Sequence, residues 1–150
     1  MYTTIVVGTD GSDSAATAVH QAAELAQLAG ATLHVVHAYQ PMNMATLAIS
    51  AGGGGATIDV AGVNESIAAN AETVCERSTA VVGDSVPCLT HAVPGDPCEA
   101  LISVAEQVGA ELIVVGNHGM TGLKRFVLGS VPNKISHHAP CSVLIANTSR

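Results

Sequence analysis

A chain of 150 residues has the length of one domain with a substantial core, and 48% of it is apolar while only 2% is aromatic. That core must be built from Val, Ile, Leu and Ala, which favours helices layered on a parallel sheet. Five basic against twelve acidic residues give a net charge of −7, which with a single Phe excludes an extended nucleic-acid surface, since that needs clustered positive charge and stacking rings; a small anion held by backbone N–H groups stays possible.

In chain order, Met1-Tyr-Thr-Thr-Ile-Val-Val-Gly8 has no basic leader and reads as a strand rather than a signal peptide. The segment Thr3 to Asp10 ends in a turn, and the Ala-rich stretch from about Ser12 through Leu28 reads as a helix closed by Gly30. Ala31 to Ala38 supplies a second strand. Residues 41–57, with the Gly52–Gly55 block, bury little and lose much entropy on ordering, so a flexible loop is expected, either a linker or a lid over a ligand.

Asp59 to about Val82 has helical apolar spacing and stops at Gly83, and Ser85 to Val93 reads as a strand with Pro87 near its beginning. Asp96-Pro97-Cys98-Glu99 combines an N-cap, a first-turn proline and a capping-box pattern, for a helix that ends at Gly109. Glu111 to Val115 is an apolar strand, Gly129-Ser130 opens a short helix through about His138, and Cys141 to Ala146 is a last strand. Every apolar stretch falls short of the ~20 residues that span a bilayer, so a single soluble, cytoplasmic domain over 1–150 with no membrane partner is expected.

This alternation predicts an α/β fold: a doubly wound, five-stranded parallel sheet with helices on both faces. Right-handed crossovers give the strand order 3-2-1-4-5. Strands 1 and 4 are then neighbours from which the chain leaves in opposite directions, opening a ligand crevice at their carboxyl ends. Gly8-Thr9-Asp10 and Val115-Gly116 converge there.

Directly after strand 4 comes Gly116-Asn-His-Gly119, and nine residues later Gly129-Ser130 opens a helix. Glycines admit close approach of an anion and positive φ, while a helix start supplies free N–H groups, so the run suits phosphate. The plain alternative is strand-ending glycines and a helix-capping serine. The spacing is neither a Walker A loop nor a dinucleotide G-x-G-x-x-G. Asp10 suits a ribose hydroxyl or a divalent cation, and equally a helix cap. His118 would donate to a phosphate or stand as a solvated imidazole; Lys124 and Arg125 form a solvated pair or a phosphate-neutralising lid.

His34 and His37 are three apart on a strand and point to opposite faces, so no metal ligand set is assigned. Ser130 lacks a G-x-S-x-G elbow, and no catalytic residue is assigned. Cys75, Cys88, Cys98 and Cys141 form no C-x-x-C pair and read as reduced core thiols, against the alternative of one exposed redox-sensing thiolate.

Ile5-Val-Val-Gly-Thr-Asp-Gly-Ser12, Val114-Val-Gly-Asn-His-Gly119, Gly129-Ser-Val and Ala139-Pro-Cys-Ser-Val-Leu-Ile145 together resemble the universal stress protein family, whose nucleotide signature is G-x2-G-x9-G-[ST]. The resemblance implies ATP in the crevice, with Mg2+ accompanying it, and a homodimer in which the last strand, 142–146, pairs with its mate. By position, Gly8, Thr9, Asp10 and Ala38 would meet the adenosine. Val115, Gly116, His118 and Gly119 would wrap phosphates and ribose, and Gly129, Ser130 and Val131 would bind the phosphates from the other side.

Asn117 stands where the family often has a larger polar residue, and Pro132 where it often has a hydroxyl residue. Pro132 removes one N–H donor, which leaves room for the family's cyclic-AMP binders. The expected function is a nucleotide-binding stress-response or signalling module with little or no catalysis. A slow ATPase using Asp10 or His118 and a ligand-free interaction protein are the competing classes.

Overall fold

A computed structural model describes residues 1–43, 59–117 and 129–148. Five strands form one parallel sheet: β1 (Thr4–Gly8), β2 (Thr32–Tyr39), β3 (Cys88–Pro94), β4 (Leu112–Gly116) and β5 (Ser142–Ala146), in the order β3-β2-β1-β4-β5. Among the described residues four helices connect them: α1 (Asp13–Ala29), α2 (Val60–Val82), α3 (Pro97–Val108) and α4 (Ser130–His138). The doubly wound order expected from the sequence is the one found.

Strand alternation divides the core into two layers. Ile5, Val7, Leu33, Val35 and Val114 point to one side, where α1 and the end of α2 cover them. Val6, Val36, Ile113 and Val115 point to the other, against Leu101 and Val104 of α3 and Ile135 of α4. Sheets buried on both faces need continuous apolar strands, which is why β4 is Leu-Ile-Val-Val. The buried face of α1 is almost entirely alanine, with Ala15, Ala18, Ala22, Ala23 and Ala26 around Val19, so the helix lies close on β-branched strands without aromatic filler.

Element ends follow local chemistry. Gly30 and Gly109 close α1 and α3 in the left-handed region, with their N–H groups returning to the last turn. The third strand starts later than the sequence suggests, at Cys88 instead of Ser85. Pro87 has no N–H for the ladder, and it contributes only its carbonyl, which accepts from Leu33 N at 2.8 Å.

The cysteine reading needs correction at two positions. Cys75 and Cys98 are buried, but Cys88 and Cys141 are half-buried, because they sit on β3 and next to β5, the two edges, where helices cover the sheet incompletely. Burial pushes all four thiols up, away from thiolate. No helix among the described residues is long and apolar enough to cross a membrane.

Candidate functional site

At the carboxyl ends of β1, β2 and β4 lies a cavity of about 280 Å³. Its floor is aliphatic, with Val36 and Ala38 from β2, Leu101 from α3 and Val115 from β4; its rim is made by the starts of three helices. Of the eleven residues expected at the site, nine line it: Gly8, Thr9, Asp10, Ala38, Val115, Gly116, Gly129, Ser130 and Val131. His118 and Gly119 lie outside the described residues, as do Lys124, Arg125 and the Gly52–Gly55 block.

The β1 side of the rim is held by its own hydrogen bonds. Thr9 N donates to Val36 O at 2.9 Å, continuing the ladder past β1. Its carbonyl accepts from His37 Nδ1 at 2.9 Å, so that nitrogen carries the proton. Its hydroxyl accepts from Gly11 N at 3.2 Å. Gly11 turns the chain with φ of +78°, and an added Cβ would lie 3.1 Å from Val74 Cγ1, so both backbone and packing require glycine.

Asp10 Oδ1 accepts from Ser12 N at 3.0 Å and from the Ser12 hydroxyl. Ser12 in turn caps α1, its Oγ accepting from Ala15 N at 3.2 Å. The capping-turn role weighed for Asp10 is therefore present, and its position on the cavity wall leaves a ligand contact compatible with it. His34 and His37 have separate partners, since His34 Nδ1 lies 2.9 Å from His91 Nε2 on β3.

The α3 start is closed as well. Asp96 Oδ1 accepts from Cys98 N at 2.9 Å and Glu99 N at 3.2 Å, Pro97 occupies the first turn, and Lys134 Nζ of α4 stands 3.7 Å from Asp96 Oδ2. At α4 the arrangement differs. Gly129 is the N-cap and offers no side-chain acceptor. Its N–H donates to Asn117 O at 3.2 Å and its carbonyl accepts from Asn133 N at 3.1 Å. Pro132, buried against Gly129, has no N–H. Ser130 and Val131 are left as the first-turn donors of α4, with no acceptor among the described residues, and both line the cavity.

Neither described signature glycine has left-handed backbone, and close approach explains Gly129. Gly129 has φ of −57° and Gly116 is the last residue of β4. A Cβ on Gly129 would meet Asn117 O at 3.3 Å and Pro132 Cδ at 3.5 Å. The positive φ expected of them belongs elsewhere, at Gly11 for this site.

Five lining residues escaped the sequence reading as site residues: Ala15, Val36, Pro97, Leu101 and Pro132. Pro132 and Pro97 carried a signal, as proline in the first turn of a helix aimed at the crevice. Leu101 and Ala15 carried none, because helical spacing does not say which turn overhangs the strand ends. Among the described residues no group of three His, Cys, Asp or Glu is arranged for a metal; Asp10 is the one carboxylate on the described wall.

An apolar floor beside an open helix N-terminus fits a ligand with a flat apolar body and an anionic end. The profile described as the Universal stress protein family matches residues 1–147. Universal stress protein Rv1636 of Mycobacterium tuberculosis is 35% identical over 150 residues, covering 99% of this chain and 98% of its own. A crystal structure of a universal stress protein in complex with cAMP superposes with a TM-score of 0.72 at 30% identity, over 99% of this chain and 98% of that one. The Archaeoglobus fulgidus universal stress protein in complex with dAMP gives a TM-score of 0.64 at 26% identity, over 96% and 97%. The chain belongs to the universal stress protein family.

Proposed function

We propose that this universal stress protein is an adenine-nucleotide-binding stress-response or signalling module that acts by binding, with little or no turnover. The observation that carries the reading is the start of α4, which has no side-chain cap among the described residues. Ser12, Asp59 and Asp96 accept first-turn N–H groups of α1, α2 and α3 with their own side chains, whereas at α4 Ser130 and Val131 line the cavity and their N–H groups have no acceptor among the described residues. An unsatisfied first turn with its dipole is a ready anion site.

In this reading Gly8, Thr9, Asp10 and Ala38 take the adenosine, with Val36 and Leu101 under the base. Val115 and Gly116, together with His118 and Gly119, wrap ribose and phosphates, and Gly129, Ser130 and Val131 hold the phosphates. ATP is the ligand that family resemblance suggests. Mg2+ would come with its phosphates, since that ion keeps waters and needs few protein carboxylates, and Asp10 is the wall residue able to face it. A binding role is supported by Asp10, whose Oδ1 is engaged by Ser12.

A second ligand reading, cyclic AMP or another nucleotide with one phosphate, is favoured by Pro132. The missing third N–H suits a single phosphate, and relatives have been crystallised with cAMP and dAMP. We further propose a cytoplasmic homodimer built through β5. That edge strand carries half-buried Val143 and Leu144 and exposed Ile145, and an unpaired edge invites a mate.

The test is a thermal-shift series with Mg·ATP, cAMP and AMP, alongside mass spectrometry of any nucleotide that copurifies. Ligand at a hundredfold excess over Kd adds about 2.7 kcal/mol, a rise in Tm of roughly 5–10 °C for a domain of this size. No rise with any of the three would defeat the reading. ADP release that survives gel filtration and disappears in Asp10→Asn would turn it into an enzyme.

A further inference from the structure

Asn117, the residue after β4, holds two other pieces of chain, the end of β5 with the residues after it and the start of α4. Its N–H donates to Ala146 O at 2.9 Å, at the end of β5, and its carbonyl accepts from Gly129 N at 3.2 Å, at the start of α4. Its side-chain Oδ1 accepts from both the N–H (2.9 Å) and the hydroxyl (2.8 Å) of Thr148, while Nδ2 lies 3.5 Å from Asn147 Oδ1. Asparagine suits this position because a short side chain supplies one two-lone-pair acceptor and donors together.

Thr148 is only 8% exposed. A polar residue beyond the last strand is ordinarily left to solvent, and burying it is tolerable because Asn117 satisfies both of its donors. Gln21 of α1 also reaches this segment, its Nε2 donating to Asn147 O at 3.4 Å. The segment after β5 is thus docked through named polar contacts that end on Asn117, the residue after the first signature glycine.

We propose that Asn117 and Thr148 form a latch of positioning residues: docking of the segment after β5 fixes Asn117, which fixes Gly129 and so aims the Ser130 and Val131 N–H groups at the ligand. The inference rests on reading the cavity as a nucleotide site. Gly129 directly precedes both donors, so any slack at its bond to Asn117 O displaces them, and a hydrogen bond holds only over a few tenths of an ångström. Neither Asn117 nor Thr148 lines the cavity. Coupling runs both ways: if docking of Thr148 improves nucleotide affinity, bound nucleotide tightens the docking of Thr148 by the same factor.

The experiment uses the full chain as wild type, Thr148→Val, Thr148→Ser and Asn117→Ala. It measures amide hydrogen exchange at Gly129 without ligand and at Thr148 with and without ligand, and affinities for cAMP and Mg·ATP by calorimetry. Thr148→Val keeps the shape and loses the hydroxyl bond, so Gly129 exchange accelerates about threefold to tenfold and nucleotide affinity drops by a like factor. Thr148→Ser restores both, and Asn117→Ala reproduces the loss while keeping the backbone bonds.

Saturating nucleotide slows Thr148 exchange in the wild type, which a merely structural role would not do. The latch is overturned if Thr148→Val binds nucleotide like the wild type, if Gly129 exchange is unchanged in it, or if Thr148 exchange ignores bound ligand. Failure of the wild type to bind either nucleotide overturns the proposed function instead, and Gly129 exchange in the ligand-free variants still decides whether the latch holds the start of α4.

Discussion

The two sides of the cavity are built on opposite principles. At the β1–α1 corner side chains of the corner itself take up backbone donors: Ser12 caps Ala15 N, Asp10 holds Ser12, and Thr9 is bonded through N–H, carbonyl and hydroxyl. At the start of α4 the cap is glycine, and two donors face the cavity without a partner among the described residues. Both are helix N-termini at the ends of parallel strands, so the fold alone does not separate them. In the proposed function this difference assigns work: the β1–α1 corner would shape the wall, and the start of α4 would be where negative charge is stabilised.

The comparison is easiest to break at Gly129. Gly129→Val puts a side chain against Asn117 O, 3.3 Å from the nearest Cβ position, and displaces both donors. Nucleotide affinity should fall more than about tenfold, since each hydrogen bond to a charged group contributes ~1.5–3 kcal/mol. Calorimetric titration checks this, and unchanged affinity would mean that the anion lies elsewhere.

Pro132→Ser opens the same helix start further by adding one N–H. The ratio of Mg·ATP to cAMP affinity should rise roughly tenfold, the equivalent of ~1.4 kcal/mol from one added charge-assisted bond. A ratio that stays put would remove Pro132 from ligand selection. On the closed side, Ser12→Ala should lose ~1 kcal/mol of stability in urea unfolding, the usual cost of an N-cap, with nucleotide affinity nearly unchanged. If affinity fell in step with stability, the division of labour between the two corners would be wrong.

A region away from both corners serves as the indifferent control. Burial holds His34 below its ordinary value of 6.5, with the neighbouring His91 adding to the effect, and burial lowers His91 likewise. Between 6.5 and those lowered values the unfolded chain binds more protons than the folded one. The contribution is therefore fully present above pH 6.5 and is lost as pH falls below it toward the folded values. Urea midpoints should drop on acidification through this window, and His91→Gln should flatten part of the dependence.

Much of this architecture was legible in the residues because the signals are local. Apolar runs ending in glycine, the Asp96 cap, and the Gly30, Gly83 and Gly109 stops mark the elements, and crossover handedness then orders the strands; the cap of α1 is Ser12, where the sequence pointed to Asp10. Topology also brought Gly8–Asp10 beside Val115–Gly116 without knowledge of any side chain. Pairings between distant segments were not legible. The Asn117–Thr148 contact, the His34–His91 pair and the overhang of Leu101 depend on strand register and on how a helix is rotated over the sheet. Pro87 moved the start of β3 because a ladder donor was missing, a cost visible only once its neighbour Leu33 was known.

The central claim, that the open start of α4 is the anion end of the site, is tested most directly by amide NMR of the wild-type chain titrated with cAMP and with Mg·ATP. The Ser130 and Val131 amides should move downfield as they gain an acceptor, while the capped amides of Ala15, Cys98 and Glu99 keep their bonds and move little. Large shifts at the capped amides with Ser130 and Val131 unmoved would contradict it.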